Sequence, residues 1–251
     1  MPTVAQPSPS DHGAERGIAA ELRALSKRLA EMSGLAEAQL DEAVEALETR
    51  DVELAARVIA ADGEVDDAET EINAKAMALL TRHAPVAADL REIVAALKIS
   101  SNVERIGDYA ANVAKRTIII NAFAPVPAVV GVIEMGRLVR KYVQTVFDAY
   151  SERDMAKAEA VWRGDADIDA LHTSVFQELL SDMLSDPDHV PACTHLLFCI
   201  KNLERIGDHV TNIAETIQFL VAGKAMVERR PKHDLTPAFD IPVAVKPLTP
   251  H

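Results

Sequence analysis

Cysteine is nearly absent from this chain. Only Cys193 and Cys199 occur in 251 residues. Two thiols in one apolar run make no disulfide framework, and their spacing is not that of a zinc motif. A reducing cytosol is the expected compartment. Aromatics are also scarce, at 4%, while hydrophobic residues reach 49%. The chain can therefore bury a real core, but from Ala, Leu, Val and Ile, which suits helices and not a β-sandwich. Positive charge is in deficit: the net charge of -13 excludes the basic face that nucleic-acid phosphates require. It leaves cation binding open. No long apolar run goes uninterrupted. Residues 118–136 are the most apolar, and Asn121, Pro125, Pro127 and Glu134 break them. They read as a helix end, a linker and a helix start, not a membrane span. The polar N-terminus carries no apolar h-region, so no signal peptide is expected. Neither a Gly-x-Gly-x-x-Gly nor a Walker sequence is present. Ser100 and Ser101 have no base nearby in sequence, so no nucleophile–base–acid set emerges.

What the chain does have is an internal repeat. NVERIGDYAANVAK at 102–115 aligns without a gap with NLERIGDHVTNIAE at 202–215. Upstream the copies continue at an offset of 103. Arg50-Asp51 meets Arg153-Asp154, Asp62 meets Asp165, Asp66 meets Asp169, and Ile72 meets Val175. Each half carries the same segments in the same order.

Those segments have the helix period. Leu203, Ile206, Val210, Ile213 and Ile217 form one apolar stripe, as do Val103, Ile106, Ala110 and Val113. Breaks fall where Pro, Gly and short polar residues cluster. The pattern predicts six helices at 13–48, 52–82, 87–122, 128–151, 155–185 and 189–222. Three long helices on short loops fold back antiparallel to bury their stripes. The expected fold is all-α, two tandem and similar three-helix bundles at 12–123 and 124–222. A flexible N-terminus at 1–11 and a Pro-rich, mobile or loosely docked tail at 223–251 flank them.

Residues four apart on a helix share a face. Glu104 with Asp108 and Glu204 with Asp208 are such pairs, and Asn112 and Asn212 extend each line by a turn. Asp62 with Asp66 and Asp165 with Asp169 repeat the spacing one helix earlier. These lines point away from the apolar seams and read as exposed or half-exposed. Antiparallel packing brings two pairs of one half together, and four gathered carboxylates call for a cation: a hard one, or iron, manganese or zinc. His172 follows Asp169 by three residues where the first half has Glu69, a spacing that di-iron bundles use. The competing reading is a solvated acidic face, with Arg105 and Arg205 pairing carboxylates on neighbouring helices. His209, opposite Tyr109 in the first copy, reads as a surface residue. Gly107 and Gly207 each cost a helix interior about 1 kcal/mol relative to alanine, which implies close helix approach or access beside the ligand line.

The two Glu-Arg-Ile-Gly-Asp motifs, with AADGEVDDAETEI and RGDADIDALHTSVF upstream, make the chain resemble the PhoU family of phosphate-specific transport accessory and regulatory proteins over residues 12–222. The resemblance implies two three-helix bundles. It implies one surface metal site at Asp62, Asp66, Glu104 and Asp108, and another at Asp165, Asp169, Glu204 and Asp208. The clusters would hold iron or zinc, with manganese and magnesium left open. It further implies a non-enzymatic regulator that restrains phosphate uptake and phosphate-starvation signalling. The implied partners are the phosphate ABC transporter ATPase and a sensor histidine kinase. The implied setting is the cytoplasm, reaching the membrane only through partners, as a homodimer. Two other readings compete on the residues alone: a metal-dependent bundle enzyme with di-metal redox or hydrolytic activity, and a helical scaffold with no link to phosphate.

Overall fold

The computed structural model describes residues 9–224, with side chains from residue 17 onward, and this span is all-helical. The elements are α1 (Pro9–Thr49), α2 (Val52–His83), α3 (Ala87–Ile120), α4 (Val129–Glu152), α5 (Met155–Ser185) and α6 (Val190–Ala222). A 3-10 turn, Pro187–His189, precedes α6. α1, α2 and α3 pack on one another as one three-helix bundle; α4, α5 and α6 form the second. Among the described residues no helix is long and apolar enough to cross a membrane.

The two halves use the same local devices. Asp51 caps α2 by accepting the Leu54 N–H at 2.9 Å, and Asp154 caps α5 by accepting from Ala156 and Lys157. The residue before each cap, Arg50 or Arg153, is left-handed, with φ of 58° and 55°. Arg50 then donates to Asn121 Oδ1 and to the carbonyls of Asn121 and Phe123, which ties the α1–α2 turn to the end of α3. Asp186 and Pro187 tighten the last connection into the 3-10 turn.

Helix starts and stops lie close to expectation, with one larger shift. α1 begins at Pro9, four residues before the expected start at 13. Proline suits a first helical turn because its missing N–H has no partner there anyway. The C-terminal expectation lies largely outside the described residues, which end just past the left-handed cap Gly223.

The core follows the stripes. Leu25, Leu29, Met32, Ala36, Leu40 and Ala43 line α1 and are fully buried. α3 and α6 are buried on more than one side, because each packs in its own bundle and against the other. Lys98 lies over the Phe219 ring, Asn102 meets Asn212, Tyr109 meets Arg205, and Arg116 lies over Phe198. Numbers that climb along α3 fall along α6, so the two helices run antiparallel with their Glu-Arg-Ile-Gly-Asp segments side by side. α1 and α4 complete the junction: Asp41 pairs with Arg140 at 2.6 Å, and Val44 packs on Gly136.

Candidate metal centres

In the first bundle, α2 and α3 do bring their carboxylates together. Burial first, then the charge of Asp108, holds the Glu104 carboxyl far above its ordinary range, at about 7; Arg105 opposes the shift, and Glu69 and Asp66 add to it. Asp66 is raised by burial and then by Asp62, Asp108 and Asp67. Carboxylates shifted up in this way are near neighbours whose negative charge Arg105 offsets only in part. Asp62, Glu104 and Asp108 are half-buried and Asp66 is exposed, as expected of a surface centre. Glu69 belongs to the cluster too.

The second bundle differs. Asp165 and Asp169 are buried, at 3% and 8% exposure, and so is His172. Glu204 and Asp208 are half-buried. The exposed line expected for Asp165 and Asp169 is therefore wrong, and α4 accounts for part of the burial. Tyr142 of α4 fills the space beside Gly164, where any Cβ would collide with its ring. Its hydroxyl donates to Asp167 at 2.9 Å. Burial, the Asp167 hydrogen bond and the charges of Asp167 and Asp165 push the phenol up to about 12. The residue 103 positions earlier, in α1, is Gln39, which is smaller and leaves the first centre open. Inside the second centre the Thr211 hydroxyl, which donates to the Gly207 carbonyl, lies 3.4 Å from Asp165. Lys201 stands 2.8 Å from Glu204.

Among the described residues neither arginine pairs with a carboxylate of a neighbouring helix, the pairing that the solvated-face reading expects. Arg105 stays on α3, 3.3 Å from Glu104 and 3.1 Å from Asp108. Arg205 crosses the bundle junction to the Tyr109 hydroxyl at 3.2 Å. His209 is not a plain surface residue. It stacks on Tyr109, and its Nδ1 lies 2.9 Å from Asn102 Oδ1. Burial lowers its pKa; Asp208 works against that shift, and Arg105 and Arg205 reinforce it.

Both motif glycines mark close approach. A Cβ on Gly107 would stand 2.9 Å from Gln39 Oε1, and one on Gly207 would stand 2.8 Å from Ile168 Cδ1. Sequence reasoning missed Gln39 and Tyr142. For Gln39 a signal existed: a polar residue set between Ala36 and Leu40 on an apolar stripe.

The donors suit a hard or borderline cation by chemistry: oxygen ligands in the first centre, oxygen with an imidazole at hand in the second. The upward shifts of Glu104 and Asp66, both driven in part by the charge of Asp108, are the observation that supports the fit. Among the described residues no three acidic, His or Cys groups converge tightly enough to enclose a metal. In the first centre Arg105 occupies Glu104 and Asp108 instead.

Comparison with known proteins agrees with this architecture. The PhoU domain matches twice, at residues 29–117 and 132–217. A phosphate-specific transport system accessory protein PhoU homolog of Rhizobium meliloti (strain 1021) is 43% identical over 217 residues, covering 86% of this chain and 92% of that protein. A homolog of the same name from Caulobacter vibrioides is 44% identical over 216 residues, covering 86% and 94%. The crystal structure of PhoU from Pseudomonas aeruginosa superposes with a TM-score of 0.79 at 35% identity, covering 82% of this chain and 99% of that one. The phosphate transport system regulatory protein PhoU from Streptococcus pneumoniae gives 0.75 at 25% identity, covering 83% and 99%. With both repeats matched in register, the chain belongs to the PhoU family.

Proposed function

We propose that this protein restrains phosphate uptake and phosphate-starvation signalling by binding the ATPase of a phosphate ABC transporter and a sensor histidine kinase. The observation that carries this reading is the family match across both halves, with relatives named as accessory proteins of phosphate-specific transport. The protein acts by contact and not by turnover, in the cytoplasm, meeting the membrane through its partners, and as a homodimer. Asp62, Asp66, Glu104 and Asp108 hold one metal centre; Asp165, Asp169, Glu204 and Asp208 hold the other, with iron or zinc as the metal. A bound cation supplies positive charge that relieves the repulsion within each set.

The test uses a strain lacking the gene and carrying a reporter on a phosphate-starvation promoter. In phosphate-rich medium the reporter should fire without the protein and fall silent when it is restored. A parallel pull-down from restored cells should recover the ATPase and the kinase, and charge reversals on an exposed helix face should abolish kinase recovery in a protein that still folds. A reporter that stays silent without the gene sinks the regulatory reading.

One observation favours a second reading, a metal-dependent enzyme. Asp165, Asp169 and His172 are buried in a helical bundle, as are the ligands of carboxylate-bridged di-metal sites. Metal-dependent turnover of oxygen or of a phosphoester by the purified protein would establish it. No turnover with iron, zinc or manganese would remove it.

A further inference from the structure

We propose that Gln39 of α1 is a neutral member of the first carboxylate centre, orienting Asp62 and offering its own carbonyl oxygen to the cation. The inference rests on the metal-binding reading above and extends it to a third helix.

Gln39 is only 4% exposed, in the middle of the apolar stripe of α1. Its amide nitrogen uses both hydrogens. One goes to Asp62 Oδ1 at 3.0 Å and the other to the Val58 carbonyl at 3.5 Å. These bonds fix which end of the carboxamide is oxygen, because an oxygen facing Asp62 would meet an anion. The Oε1 atom is thereby turned away, and it is buried with no hydrogen-bond partner. It lies against Gly107, one residue before Asp108 and on the same helix as Glu104. Native structures rarely leave a buried polar atom unpaired; an ordered water or an ion is the usual partner, and beside a set of carboxylates an ion is the partner we infer.

Gly107 now has a second meaning. A side chain there would collide with Gln39 Oε1 and push the carboxamide off Asp62. In the second bundle the matching glycine clears space for Ile168, an apolar group, and the α4 residue at the Gln39 position is Tyr142, bonded to Asp167. The polar link from the first helix into the ligand set therefore belongs to the first centre. Groups that hold a metal ligand in place commonly change metal affinity 10- to 100-fold when removed.

The test is a titration of the full chain with Mn2+, following free ion by electron paramagnetic resonance, with the second centre silenced by Asp165→Asn and Glu204→Gln. In that background Gln39→Met, which matches the volume and removes both polar atoms, should weaken Mn2+ binding by about 10-fold or more. Gln39→Glu, which keeps an oxygen for the cation but loses the amide donated to Asp62, should bind Mn2+ more tightly than Gln39→Met. A role limited to packing predicts the reverse: both variants unfold at lower temperature, with Mn2+ affinity unchanged in Gln39→Met. That result would overturn the proposal, as would Gln39→Glu binding no better than Gln39→Met. Far-ultraviolet circular dichroism confirms that each variant is folded. If the parent chain, with Gln39 intact, takes up no Mn2+, iron or zinc, it is the metal-binding reading itself that fails.

Discussion

Glycine and glutamate show how single residues carry the costs of this design. Gly34 sits in the interior of α1 with nothing within 4 Å of where a Cβ would lie. Gly34→Ala should therefore stabilise the protein by about 1 kcal/mol, through helix propensity alone. Gly207→Ala should go the other way. Its Cβ would press on Ile168, which is 2% exposed, and overpacking of that kind costs about 1–3 kcal/mol. Urea unfolding of the two variants checks both signs. Glu104 makes a pH prediction. Its carboxyl titrates at about 7 in the folded chain and near its ordinary 4.5 in the unfolded one. Between those values the folded state keeps a proton that the unfolded state has released. Stability of the metal-free protein thus falls as pH rises through that window and levels off above it. Glu104→Gln should flatten the slope, seen as urea midpoints that no longer decline from pH 5 to pH 7. An unchanged slope would remove Glu104 as its source.

At the scale of helices and turns, the α1–α2 connection is held by one side chain. Arg50 satisfies two carbonyls and an amide oxygen at the end of α3. Arg50→Met keeps the bulk but strips those acceptors of a donor, and should cost about 1–3 kcal/mol by thermal or urea unfolding. The elements themselves were largely readable in the sequence. Asp51 and Asp154 stand where α2 and α5 begin, because a short acidic side chain before an apolar stripe caps a helix. The gathering of carboxylates in the first bundle was readable as well, since Asp62, Asp66, Glu104 and Asp108 project from two helices that must pack antiparallel. The second was misjudged for a definite reason. Periodicity gives the angle of Asp165 and Asp169 from their own apolar stripe, but not whether another helix covers that angle. Tyr142 on Gly164 is such a cover, and nothing in the spacing of α5 announces it. His209 and Arg205 escaped for the same reason: their partners Asn102 and Tyr109 lie on the other bundle.

The whole molecule is more than two bundles on a string. α3 and α6 pack antiparallel, Arg153 of the second bundle pairs with Glu92 of the first, and Asp41 pairs with Arg140. Asp41 is two residues beyond Gln39 on α1, so one helix touches both the first carboxylate centre and the other bundle. A regulator whose halves share a continuous junction should unfold as a unit, with calorimetric and van't Hoff enthalpies in agreement. Gly136 is the place to test that. Its missing Cβ leaves room for Val44 of the opposite bundle, whose methyls lie 2.9 and 3.0 Å from the vacant position. Val44 is β-branched and buried, so it has little freedom to turn aside. Gly136→Leu therefore acts as a wedge between the bundles, whereas Gly34→Leu adds the same side chain to open space on α1. The wedge should split the calorimetric transition or broaden it until the two enthalpies disagree; the control should leave one sharp transition. If Gly136→Leu melts as a single transition at the parent temperature, the junction does not couple the bundles. A cation bound in one half would then have no route through α1 to the other.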